Sequence, residues 1–106
     1  MVEQTAFGFI QPQSPKDVLD EAFVFHKENP IVYQRYIHIC KTALNENEPV
    51  GSERLFVRLK YDLCTNEETQ NLGSKLQNKF RKFYMHTVVL DKPEFQSIFL
   101  KDELEL

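Results

Sequence analysis

The chain has 106 residues, 42% of them hydrophobic and 27% charged, which is the composition of one ordinary folded domain rather than of a disordered or repetitive segment. The formal net charge of −3 excludes attachment to nucleic acid by bulk positive charge, yet it conceals a basic middle, since residues 51–86 carry 7 Lys and Arg against 4 Asp and Glu. With 9 Phe, 4 Tyr and only 3 Gly, the chain has bulky core material and few turn formers, which favours helices over a fold of many hairpins.

Residues 1–13 place Phe7, Phe9 and Ile10 between Gly8 and Pro12. They are too few to fold alone and are expected as an arm that packs on the domain or reaches a partner. The folded domain is expected over residues 14–100. Ser14-Pro15-Lys16-Asp17 is a helix start: a capping hydroxyl, a proline suited to the first helical position and an acid in the first turn. Val18, Leu19, Ala22 and Phe23 then share a face, Phe25 extends it, and Pro30 forces an end near Lys27 or Glu28.

Asn29-Pro30 repeats the cap-then-proline start. Val32, Tyr33, Tyr36, Ile37, Ile39, Cys40, Ala43 and Leu44 form one broad apolar arc, and Gln34, Arg35, His38 and Lys41 lie outside it, which predicts an amphipathic helix over 31–45. A polar loop with Pro49 follows. Ser52 can cap a third helix bearing Leu55, Phe56, Leu59 and Leu63, although the run 55–59 also suits a strand. Residues 63–75 are polar, with Asn66, Asn71 and Gly73 as turn formers, and are expected to form a loop or one short β-hairpin.

The next segment carries the most information. Lys75, Lys79, Lys82 and His86 recur so that, on a helix, they fall within about 60° of one another. Leu76, Phe80, Phe83, Tyr84, Thr87 and Leu90 would occupy the buried side of a helix spanning 76–90, which Pro93 ends. A last short helix over 94–100 would bury Phe95, Ile98 and Phe99, and the acidic tail 101–106 is expected to fray. The predicted core is Phe23, Val32, Tyr36, Ile39, Cys40, Leu55, Phe56, Leu59, Phe80, Phe83, Tyr84, Phe95 and Phe99. The fold class expected is mainly α: a small, winged-helix-like domain with at most one short hairpin.

Chemistry is sparse. Neither a Gly-x-Gly-x-x-Gly nor a Walker-type loop is present. His26, at a helix end where the dipole favours a cation, and His38, on a polar face, read as surface histidines without a ligand partner at i+4. Glu67-Glu68 reads as a solvated pair. Cys40 and Cys64 match no zinc spacing and predict two reduced, buried thiols. The expectation is a protein without catalysis, metal or cofactor. No apolar run approaches the roughly 18 residues of a membrane-spanning helix, and the first residues lack the basic and apolar regions of a signal peptide. Lys101-Asp102-Glu103-Leu104 is similar to a retention signal of the endoplasmic reticulum but stands short of the chain's end, so a cytoplasmic location is expected.

Recognition is what the residues leave. Helices over 52–63 and 76–90 follow a helix-turn-helix plan in which Gln77, Asn78 and Arg81 reach base edges while Lys75, Lys79, Lys82 and His86 meet phosphates. The twelve or so residues between them exceed a compact turn, which is why a winged-helix variant is required. Two other readings fit the same cations: an acidic protein surface as partner, or a solvated face with no ligand.

Phe25-His26-Lys27-Glu28-Asn29-Pro30-Ile31-Val32-Tyr33, then Leu55-Phe56-Val57-Arg58-Leu59-Lys60-Tyr61, then Gln77-Asn78, Tyr84 and Pro93 to Phe99 resemble a pattern found in a group of small phage and bacterial proteins of uncharacterised function. That pattern reads F-x-x-x-N-P-x-V-Y, L-F-x-R-L-[RK]-W, N-N, Y-A-R and P-x-x-x-x-x-F. The chain departs from it at Tyr61, where the group has Trp, and at Met85-His86, where it has Ala-Arg. The resemblance implies a phage or bacterial origin, a compact helical domain, and Arg58 with Lys60 as a basic ridge; it implies no catalytic residues. The function expected is a small DNA-binding or regulatory protein acting on double-stranded DNA. The alternative is a phage accessory protein that binds and inhibits an acidic host protein, such as a defence or transcription component, with homodimerisation open in either case.

Overall fold

The computed structural model describes residues 14–47 and 49–104. Five α-helices run in order, α1 Pro15–Glu28, α2 Pro30–Glu46, α3 Ser52–Cys64, α4 Gln70–Lys75 and α5 Arg81–Asp91, with 3-10 turns at Asn78–Phe80, Pro93–Ile98 and Lys101–Leu104. The expected arm over 1–13 lies outside the described residues.

The proline starts behave as local chemistry dictates. Ser14 caps α1, its Oγ accepting from the Asp17 N–H at 3.2 Å. Asn29 works at the other end of that helix: its side-chain amide donates to the Phe25 carbonyl at 3.0 Å, and it makes no side-chain cap for α2. Asn47, with φ at 62°, closes α2 in the left-handed conformation. α2 and α3 form the centre. α3 packs against α2, α4 and α5, and the Pro93–Ile98 turn is wedged between α2 and α5. The shared interior holds Val32, Tyr36, Cys40 and Ala43 from α2, Leu55, Phe56, Leu59 and Leu63 from α3, and Tyr84, Met85 and Val88 from α5.

Four expectations are corrected. Residues 63–75 form no hairpin, and no strand occurs among the described residues, so the wing of a winged helix is not formed there. Thr69 folds the segment back by donating its hydroxyl to the Leu63 carbonyl at 2.8 Å, and α4 follows. Gly73 is then helical, not a turn former: a Cβ there would lie 2.5 Å from Cys64 Sγ, so its small size lets α4 close on α3. The helix expected over 76–90 is interrupted. Leu76 and Gln77 are extended, at ψ 108° and 143°, and the helix begins only at Arg81. This interruption resets the helical phase, so the buried stripe of α5 is Tyr84, Met85 and Val88, while Leu90 is 82% exposed. Phe83 is accordingly only partly buried, and Phe23, expected in the core, is 53% exposed because Ala22 takes the inward position on α1. The other eleven predicted core residues are buried.

The acidic end is tied down as far as it is described. Glu103 reaches back to the start of α3: Oε2 accepts the N–H of Ser52 and of Leu100, each at 2.8 Å, and Oε1 accepts the Ser52 hydroxyl at 2.7 Å. One orphan donor at that helix start, the Ser52 N–H, is therefore met by a carboxylate 51 residues further along the chain. The Ile98 carbonyl accepts from both Val50 and Gly51, fastening the preceding loop to the same segment.

Candidate interaction groove

The residues singled out for nucleic-acid contact do not share a face. Lys75 ends α4, and with Gln77 it borders a hollow shared with Glu21, Val24, Glu28 and Phe80. Gln77 and Lys79 both turn to Glu21: the amide of Gln77 lies 3.5 Å from it and the Lys79 ammonium 2.8 Å. Asn78 and Arg81 lie beside Glu53, Phe56 and Val57 of α3 in a second hollow. Arg81 also borders the site of the Glu103 latch. Burial alone would raise the Glu103 pKa, but its bonds to Ser52 and Leu100 and the nearby Arg81 charge together hold it below the ordinary value of 4.5. Arg58, on α3, points to Glu46 at the end of α2, 3.6 Å away. Only Lys82 and His86 remain together on α5, with Lys79 near them at one end.

These three border a groove that the cationic spacing alone did not reveal. Pro15, Val18 and Leu19 of α1 form one wall. Phe83, Thr87 and Leu90 of α5 form the floor, and Lys79, Lys82 and His86 line the remaining edge. The order across α5 follows from helix geometry. With Tyr84, Met85 and Val88 turned to the core, the outward face runs from Lys82 and His86 through Leu90 to Phe83 and Thr87. α1 lies on the Phe83 side, because His26 of α1 meets the Phe83 and Tyr84 rings edge-on at 5.6 Å each. The groove holds about 590 Å3, and it is open, with Leu19 51% and Leu90 82% exposed. Among the described residues, neither Lys82 nor His86 has a carboxylate within ion-pair distance.

His26 is half-buried beside the groove rather than fully at the surface. Its ring meets Tyr33, Phe83 and Tyr84 edge-on, and its Nδ1 is buried without a hydrogen-bond partner among the described residues. Burial lowers its pKa from 6.5. His38 is exposed, as expected. Cys40 is buried, and desolvation pushes its thiol up to about 12, far from the reactive thiolate range. Cys64 is free but exposed, which corrects the expectation of two buried thiols. No group of three or more His, Cys, Asp and Glu side chains that could hold a metal ion occurs among the described residues. No described helix is long and apolar enough to cross a membrane.

No protein-family model, curated protein or solved structure matches the chain. The groove therefore has to be understood from its own residues. The signal for it in the sequence was the surplus of apolar side chains on α1, where Val18, Leu19, Ala22, Phe23, Val24 and Phe25 exceed what one helix face can bury.

Proposed function

We propose that this chain is a non-catalytic interaction protein that holds an acidic protein partner in the α1–α5 groove. One observation carries the reading: an open apolar floor bordered on one side by Lys82 and His86, neither of them ion-paired among the described residues. Exposed leucines gain nothing from a phosphate backbone, whereas an apolar centre edged by charge is the common anatomy of a protein interface. The duplex-DNA reading requires Lys75, Lys79, Lys82, Gln77, Asn78 and Arg81 to act from one helix, and they are spread over three surfaces with Lys79 engaged by Glu21. The resemblance to small phage and bacterial proteins supports a bacterial host protein as the partner and the bacterial cytoplasm as the setting. A pull-down from bacterial lysate, with and without nuclease, tests this. One acidic protein that survives nuclease and is lost with Lys82→Glu is expected. Recovery of nucleic acid in its place would overturn the reading.

A further inference from the structure

We infer that the element received by the groove is a short acidic amphipathic α-helix of the partner, an inference that rests on the groove being the binding surface proposed above. The walls decide its conformation. Both are helices whose backbone groups are already bonded, and no sheet edge exists among the described residues. An extended segment laid over Leu90, Phe83 and Val18 would gain no backbone hydrogen bond from the groove, and its N–H and C=O groups facing that apolar floor would lose their water. A helix satisfies its backbone internally and sets a ridge of side chains into the groove between two others.

Its length follows from the floor. From Arg81 to Leu90, α5 offers ten residues, a run of about 14 Å, which two to three turns of a third helix would cover. Its charge follows from the edge. Lys82 and His86 stand on the side of α5 away from α1, one turn apart. Carboxylates four residues apart on one flank of the incoming helix would meet them, with a separate apolar stripe, itself spaced by three or four residues, facing Leu90 and Leu19. Lys79, bonded to Glu21, closes one end. The α1 wall, formed by Pro15, Val18 and Leu19, carries no charge of its own, so the cationic edge lies on the α5 side alone.

The probe is a pair of synthetic helical peptides sharing one leucine stripe, with Glu or with Lys on the same flank, titrated by fluorescence anisotropy against the full chain. The Glu peptide should bind and the Lys peptide should not. Leu90→Ser, at a position that is 82% exposed, should weaken the Glu peptide by about tenfold without altering the circular dichroism spectrum. Lys82→Glu should exchange the preference, releasing the Glu peptide and admitting the Lys peptide.

Failure of both peptides to bind would overturn the inference, and so would equal binding of both. Binding only after deletion of residues 1–13 would give the groove to the chain's own Phe7, Phe9 and Ile10. Self-association abolished by Leu90→Ser would give it to a second copy. An acidic protein that still depends on Lys82 in the pull-down, when neither peptide binds, would retain the interaction reading and discard the helix alone.

Discussion

At the residue scale, two aromatic-lined positions separate stability from binding. Phe80 is 1% exposed and stacks at 5.4 Å on Phe25, whereas Phe83 is half-buried with its ring forming groove floor. Phe80→Ala should cost about 3–5 kcal/mol in urea unfolding, and Phe83→Ala clearly less while weakening any groove ligand more. His26 gives a pH signature. The unfolded chain takes up its proton near 6.5 and the folded chain at lower pH. Between those points the unfolded state binds more protons, so stability is intact above 6.5 and falls as the pH is lowered below it. His26→Phe, which keeps a ring among Tyr33, Phe83 and Tyr84, should flatten the decline in melting temperature between about pH 7 and pH 5. An unchanged slope would place the acid sensitivity elsewhere. The histidine's environment was illegible from sequence because its neighbours arrive from α2 and α5, far along the chain.

At the element scale, what the sequence declares depends on whether the cause is local. The boundaries of α1 and α2 were readable because Ser14, Pro15 and Pro30 act within one turn of themselves. The interior of α2 was readable because its apolar arc is unbroken across four turns. The break at Leu76 and Gln77 was not, since neither Pro nor Gly marks it: Leu76 and Phe80, at i and i+4, would share the buried face of a continuous helix and are buried here too, at 0% and 1% exposure. Lys75 and Lys82 are thereby separated although their spacing is helical. Gly73 was readable as glycine but not as a contact, because the need for it comes from Cys64 on the preceding helix. Gly73→Ala should therefore destabilise by about 1–3 kcal/mol, although the same exchange in an exposed helix stabilises. A rise in melting temperature on that substitution would show that α4 does not lie closely against α3.

At the scale of the whole molecule, the segment around Ile98 to Glu103 holds the start of a central helix. Glu103 accepts two hydrogen bonds from Ser52 at the start of α3, across 51 residues of chain, and a third from Leu100, and its carboxylate is held in the charged form by them and by Arg81. Glu103→Ala should lower stability by about 1–2 kcal/mol, the range for a lost cap with charge-assisted bonds. Because the folded carboxyl titrates below the ordinary 4.5, this contribution is present above that pH and is lost as the pH falls through the lower folded value. The difference between wild type and Glu103→Ala should thus be full at neutral pH and shrink below about pH 4.5. The surface charge obeys the same distinction between total and placement. With Lys75 on a different surface from Lys82, and Lys79 held by Glu21, their joint replacement by Gln should not flatten a salt dependence by the roughly 2.7 units that three phosphate contacts would give. The single change Lys82→Glu should suffice to release an acidic protein partner, because of the three it is Lys82 that stands beside the apolar floor with no carboxylate of the described residues holding it. Salt titration of duplex-DNA retention and partner retention on one immobilised sample reads both outcomes at once. A triple variant that lost DNA with the full slope change, while Lys82→Glu kept its partner, would return the cations to a single phosphate-binding face.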